Sequence, residues 1–159
     1  MTTESVHDAL RRHPFATELE SSQLERLASL AQFTHIAKGE ILFREGEQNS
    51  RFFLILDGPV ALEMKLPRGM LQVQRLGAGD GLGWSAALVG RGKYFQARAL
   101  DEVEAIVFEG EQVLAACRDN PEFGFLFMMR LLDVVSKRLQ ATRMQLADMH
   151  SPVAKQAGT

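Results

Sequence analysis

Several absences narrow the possibilities for this 159-residue chain before any pattern in it is read. There is one cysteine, Cys117, so no intramolecular disulfide can form. With no apolar leader after Met1, the expected compartment is the reducing cytoplasm. No run approaches the ~18 consecutive apolar residues that cross a bilayer, so no membrane role is expected. A surplus of one charge is missing too: 18 Lys and Arg face 20 Asp and Glu, net −2, with the signs interspersed. Chains that work on nucleic acid carry a basic excess or stripe, and direct nucleic-acid binding is not expected.

The residue clusters of common catalytic chemistries are also lacking. His7, His13, His35 and His150 are scattered, with no His-x-His or His-x-x-x-His pair to hold the metal of a cupin-type enzyme. No Cys-x-x-Cys, Gly-x-Ser-x-Gly or Walker-type phosphate loop occurs. One cysteine is too few for an iron–sulfur cluster. A haem on His35 or His150 stays formally open, but a lone histidine is more often an ordinary surface or core residue. Cys117 sits in an apolar helical pattern and reads as packing. The expectation is a non-enzymatic protein without a metal.

An apolar content of 46% is enough for one domain with a real core. The first 31 residues read as short helices: one around Val6–Arg11, stopped by His13-Pro14, and one over about Ser22–Leu30. Ser22-Gln23-Leu24-Glu25 has capping-box spacing, and Leu24, Leu27, Ala28 and Ala31 share a face. Residues 32–109 change period to short alternating runs. Strands are expected near Phe33–Ala37, Ile41–Arg44, Phe52–Leu56, Val60–Leu66, Leu71–Arg75, Phe95–Leu100 and Val103–Phe108. Between them lie Lys38-Gly39, Glu45-Gly46, Asp57-Gly58, Pro67-Arg68-Gly69 and Gly77-Ala78-Gly79, with Asp57-Gly58 the strongest hairpin signal. Short strands with regular turns indicate a mainly β double-sheet jelly roll with flanking helices.

Residues 110–150 return to the helical period: a short helix over Glu111–Cys117, then one from Pro121 to about His150. Residues 151–159 form a tail. The last helix, ~30 residues and roughly 45 Å long, carries two stripes. Phe125, Met128, Leu132, Val135, Leu139, Thr142, Leu146 and Met149 follow the 3-4 spacing of a coiled-coil seam, which pairs most economically with its own copy. Phe123, Phe127, Leu131 and Val134 lie beside it over the first half and would pack on the roll. A homodimer through Leu132, Val135, Leu139, Thr142 and Leu146 is expected. The alternative is one broad stripe folded back on its own domain. Arg130, Lys137, Arg138 and Arg143 read as a solvated flank.

Three stretches in order, Lys38–Glu47 (KGEILFREGE), Phe52–Gly58 (FFLILDG) and Gly79–Ala99, resemble the sensor half of the cyclic AMP receptor protein/fumarate-nitrate regulator family. The resemblance runs from Pro14 to His150. It implies a double-stranded β-helix (jelly roll) with a long C-terminal dimerisation helix and a phosphate-binding cassette over Gly79–Ala99. Relatives continue into a helix-turn-helix, whereas this chain stops about nine residues after its long helix, so no DNA-reading module is expected.

The family's cassette usually reads Gly, Glu, small residues and Arg-Ser/Thr-Ala, the Glu accepting from ribose and the Arg pairing with the cyclic phosphate. Here Leu82-Gly83 match, Trp84 stands at the Glu position, and Lys93-Tyr94 stand at the Arg-Ser/Thr positions. Lysine keeps the charge without the bidentate fork, and an indole accepts no hydrogen bond. The candidate ligand-binding residues are Gly83, Trp84, Ser85, Ala86, Ala87, Lys93 and Tyr94. The amides of Ser85–Ala87 would hold an anion, Lys93 or Arg91 would supply charge, and Trp84 and Tyr94 would stack on a flat ligand. Equally, Trp84 could plug the core and Lys93 be a solvated loop lysine. Arg98 reads as structural or surface, with an ion pair open to it. The function expected is a regulatory sensor for a cyclic nucleotide or other small anion, signalling through its dimer helix to a possible protein partner. The alternatives are a ligand-free dimeric scaffold and a truncated relative of a transcriptional regulator.

Overall fold

The structure is a computed structural model that describes residues 4–85 and 92–150. Helix α1 (Val6–Arg12) leads into a 3-10 turn (Pro14–Ala16) and α2 (Ser21–Ser29). Eight strands follow: β1 (Ala31–Ile36), β2 (Ile41–Phe43), β3 (Arg51–Asp57), β4 (Val60–Leu66), β5 (Gly69–Leu76), β6 (Gly81–Leu82), β7 (Gln96–Ala99) and β8 (Val103–Glu109). Helices α3 (Gly110–Asp119) and α4 (Pro121–His150) close the described chain. The strands form two four-stranded sheets, ordered β1-β8-β3-β6 and β2-β7-β4-β5, with antiparallel pairing throughout.

Strand β3 explains the layering. Its run Phe52-Phe53-Leu54-Ile55 is buried on both faces because side chains alternate. Phe53 and Ile55 face the second sheet with Val60, Leu62, Ala97 and Val103. Phe52 and Leu54 face the helices, against Leu10, Phe15, Leu27, Phe123, Phe127 and Leu131. The roll thus has one core between its sheets and a second under its helices. The Phe15 ring meets those of Phe52 at 5.6 Å and Phe127 at 5.5 Å.

Several sequence expectations need correction. The capping interaction of α2 is not Ser22 with Glu25: the Gln23 side chain accepts from the Glu20 amide at 3.0 Å, two residues earlier. Ala31 belongs to β1, not to the face of α2. Asp57-Gly58 makes a turn but no hairpin, because β3 and β4 lie in opposite sheets. Gly58 (φ +98°) crosses between the sheets where a Cβ would stand 2.3 Å from the Glu102 carbonyl oxygen, so this glycine serves close packing as well as positive φ. The tight hairpin is β4–β5, where Leu66 pairs with Gly69 across Pro67-Arg68. Two-residue β6 was not expected, being too short to show alternation.

Helix α4 starts at Pro121, where the Asn120 side chain accepts from the Phe123 amide at 3.1 Å. Its inner stripe does not end at Val134. Arg138, Ala141 and Gln145 continue the 3-4 spacing and keep the helix on its own roll. Gln145 donates to the Val73 carbonyl, and Gln74 Nε2 donates to Thr142 Oγ1 at 2.9 Å. Because β5 is the edge of its sheet, the second half of α4 covers unpaired backbone groups there. Arg130 holds the first half by donating to the carbonyls of Phe15 (2.9 Å) and Pro14 (3.1 Å). Arg130 and Arg138 therefore face the domain and are not the solvated flank expected. Their long apolar stems cross the interface while their guanidiniums donate to the backbone carbonyls of Pro14, Phe15 and Gly81.

Candidate functional site

The β5–β6 turn is closed by Asp80, whose carboxylate accepts from the Gly77 amide at 2.9 Å. Strand β6 then pairs with Phe53 and Leu54 and delivers Gly83 in a left-handed conformation (φ +93°). A Cβ on Gly83 would stand 2.6 Å from the Arg51 carbonyl oxygen, so only glycine brings the chain this close to β3. Trp84 and Ser85 begin a helical turn. Ala86, Ala87 and Arg91 lie outside the described residues, so the expected amide cradle over Ser85–Ala87 is described only at Ser85, which is buried.

Lys93 is neither a solvated lysine nor a cation displayed to a ligand. It is 2% exposed, and its ammonium donates to the carbonyls of Gly83 (2.5 Å) and Arg51 (2.6 Å). The same nitrogen lies 4.9 Å from the centre of the Phe43 ring. Burial lowers its pKa to about 8, against a smaller opposing effect of Glu47. Lys93 thus pins the cassette glycine to β3. The backbone reinforces this, with Lys93 N donating to Glu47 O and Gly46 N donating to Lys93 O.

Trp84 is half-buried against the helical core and meets Tyr94 edge-on at 5.9 Å. Tyr94 is exposed at 45%. The space enclosed by Phe43, Leu82, Trp84, Ser85, Tyr94 and Arg138 is about 30 Å³, one water's share of liquid volume (~30 Å³). Of the candidate residues, the structure brings together Gly83, Trp84, Ser85 and Tyr94 around this space and turns Lys93 beneath it. Arg138 enters from α4 and donates to the Gly81 carbonyl at 2.8 Å. Burial lowers its pKa, partly opposed by Asp80.

Glu63 was not among the expected site residues, and Arg130 and Arg138 were expected only as a solvated flank. Glu63 is 5% exposed on β4 and accepts from Arg98 at 2.7 and 3.1 Å and from Gln96 at 2.9 Å. These hydrogen bonds, first that from Arg98, hold its pKa below the ordinary carboxylate value. The ion pair left open for Arg98 is formed. A carboxylate inside the apolar strand Val60–Leu66 was the available signal. For Arg138 the signal was its place four residues after Val134 on the inner stripe.

The expected seam splits. Leu132, Leu139 and Leu146 are 59%, 68% and 54% exposed, and Phe125 and Met149 are exposed beside them. Val135 is half-buried. Thr142, expected in the seam, bonds to Gln74 of its own roll. His35, weighed as a haem ligand, has its two ring nitrogens on Glu104 (2.5 Å) and Glu102 (2.9 Å). Among the described residues no helix is long and apolar enough to cross a membrane, and no His, Cys, Asp and Glu group could hold a metal ion.

Residues 33–120 match the model of the cyclic nucleotide-binding domain. The chain belongs to this family. Among curated relatives of this cyclic nucleotide-binding domain, the CRP-like cAMP-activated global transcriptional regulator of Mycobacterium tuberculosis is 26% identical over 145 residues. That match covers 91% of this chain and 63% of the regulator, so the chain spans less than two thirds of that relative's length. A cyclic nucleotide-binding domain from Methylobacillus flagellatus superposes with a TM-score of 0.79 at 18% identity, over 92% of this chain and 83% of that one. The regulatory subunit of a cAMP-independent protein kinase A from Trypanosoma brucei does so with a TM-score of 0.67 at 18% identity, over 88% and 48%. The jelly roll, the flanking helices and the long C-terminal helix are those of this fold.

Proposed function

We propose that the protein is a non-enzymatic regulatory domain in which a small anion or cyclic nucleotide at the cassette is coupled to the seating of α4. It works as a homodimer through Leu132, Leu139 and Leu146. One observation carries this reading: Arg138 leaves α4, lines the cassette space and donates to the Gly81 carbonyl. A ligand entering a space of about 30 Å³ has to displace Arg138 or recruit it. Either event changes how α4 sits, and ligand and helix arrangement are then linked through differential affinity. The exposed seam leucines report that change to the second copy or to a partner protein.

The relatives support a regulatory role without fixing the ligand, one being cAMP-activated and another cAMP-independent. The inward commitment of Lys93 and the indole of Trp84 support a cassette that holds cyclic nucleotides weakly. The small size of the enclosed space favours a second reading, a ligand-free dimeric scaffold.

Trp84 is the only tryptophan, so its emission reads the cassette directly. Titration with cyclic AMP and cyclic GMP, followed in parallel by calorimetry, is expected to saturate well above the micromolar range and to shift in the Arg138→Met variant. Binding at micromolar or tighter affinity, one per subunit, overturns the weakened cassette. Silence with both nucleotides up to millimolar concentration leaves the scaffold.

A further inference from the structure

A second, larger cavity lies between the 3-10 turn, the β5–β6 turn and α4, and no step of the proposed cassette mechanism uses it. Its volume is about 290 Å³, near the lower bound of the ~300–1,000 Å³ typical of small-molecule sites. It shares only Arg138 with the cassette space.

The charges around it do not cancel. Arg75, Lys137 and Arg138 supply three cations, and Asp80 and Asp133 two carboxylates. Both carboxylates are committed. Asp80 accepts from the Gly77 amide, and Asp133 lies 3.0 Å from Lys137 and 3.6 Å from Arg130. Neither Arg75 nor Arg138 has a carboxylate partner among the described residues. Arg138 has spent one N–H on Gly81. Two guanidiniums with unspent N–H groups, one from the sheet edge and one from the helix, thus border one cavity holding a single surplus positive charge. Guanidinium forks match planar oxyanions bidentately. Gln74 and Gln145 add polar side chains to the wall, and Phe15, Leu76, Val134 and Ala141 supply its apolar part.

We propose that this cavity binds a small organic carboxylate, its charged end between Arg75 and Arg138 and its apolar body against Phe15, Leu76 and Val134. One negative charge balances the site, and a doubly charged phosphate overshoots it. Such an occupant bridges β5 and α4, adding to the Gln74–Thr142 contact and clamping the helix onto the roll. The site does not rest on the cassette reading and stands whether or not a nucleotide binds there.

Calorimetric titration of the full chain with benzoate, and separately with inorganic phosphate, tests it. Arg75 and Ala141 are exposed, so Arg75→Gln and Ala141→Phe, the latter filling the cavity from the helix, keep the fold; circular dichroism checks this. Benzoate is expected to bind at one per chain, tighter than phosphate. Each variant is expected to weaken it by about tenfold or more, as loss of a charge-assisted bond or of the apolar space implies. Benzoate affinity is expected to be unchanged in Tyr94→Ala, because exposed Tyr94 lines the cassette space and not this cavity. Heats no larger than dilution, or affinities in both variants equal to that of wild type, overturn the site. Phosphate binding as tightly as benzoate overturns the organic ligand. Weakening by Tyr94→Ala as large as that by Arg75→Gln places benzoate in the cassette and overturns the assignment to this cavity.

Discussion

The ammonium of Lys93 and the carbonyl of Gly83 are 2.5 Å apart, so the side chain expected from the sequence to face a phosphate is bonded to the chain's own backbone. Replacing it tests whether this bond is structural. Lys93→Met keeps much of the apolar stem but leaves the Gly83 and Arg51 carbonyls without their donor, and about 2 kcal/mol of stability should be lost in denaturant unfolding. The titration has a defined sign. With the folded pKa lowered to about 8, the unfolded chain holds the proton more tightly above that pH. Lys93 therefore makes stability rise as pH increases from 8 towards its unfolded value. The difference between wild type and Lys93→Met should show that slope, and a flat difference across the window contradicts the burial argument.

His13 sits at the joint between the N-terminal helices and the roll. Its Nδ1 accepts from the Phe15 amide at 3.1 Å, and its buried Nε2 has no hydrogen-bond partner among the described residues. Burial is the main cause lowering its pKa. The carbonyls of Ile55 and Asp80 and the Asp80 charge oppose this, and Lys137 adds slightly to it. A base with a lowered folded pKa stabilises fully above the unfolded value near 6.5 and loses that contribution as pH falls below it. His13→Asn keeps an acceptor for Phe15 and removes the titration. Melting temperature from pH 7.5 to 5.5 should fall less steeply in the variant than in wild type. Exposed His35, whose pKa is raised first by Glu104 and then by Glu102, acts with the opposite sign and is common to both proteins.

Glu63 and Arg98 form a buried carboxylate and a partly exposed guanidinium with side-chain exposures of 6% and 38%. Arg98→Met strands the carboxylate with Gln96 as its only side-chain donor, at a cost of about 2–3 kcal/mol at pH 7. Because the folded pKa of Glu63 is lowered, the pair contributes fully above the unfolded carboxylate value and is lost as pH falls through the folded one. The penalty of Arg98→Met should therefore shrink on acidification. A penalty equal at pH 7 and pH 4 rules out the ion pair as its source.

The seam leucines make a prediction about assembly. Leu139 is 68% exposed, so Leu139→Glu should leave the unfolding of a single chain nearly unchanged. Like charges facing each other across a coiled-coil seam should nevertheless separate the proposed dimer. Light scattering after gel filtration should show a mass of two chains for wild type and one for the variant. A monomeric wild type removes the dimer.

The sequence was most legible where one period dominates. The alternation of Val60–Leu66 gave β4 with both ends correct, and Pro121 and the apolar spacing gave α4 from end to end. It was least legible where a side chain serves a distant carbonyl. Lys93 looks like any loop lysine until Arg51 and Gly83 fold over it, and Arg138 looks like a helix-surface cation until Gly81 lies beneath it. Gly81 lies 57 residues from Arg138, and Arg51 and Gly83 lie 42 and 10 residues from Lys93, so no local pattern records these bonds.

Local steric and periodic rules by themselves set this protein's elements, its turns at Gly39, Gly46, Gly58 and Gly79, and the presence of an apolar stripe on α4. Which sheet each strand joins, that Asp57-Gly58 changes sheets, and where Lys93, Arg130 and Arg138 spend their donors were settled only by the tertiary structure. The physical reason is desolvation. A buried cation or carbonyl has to find a partner wherever packing brings one, and packing brings together residues that the sequence keeps far apart.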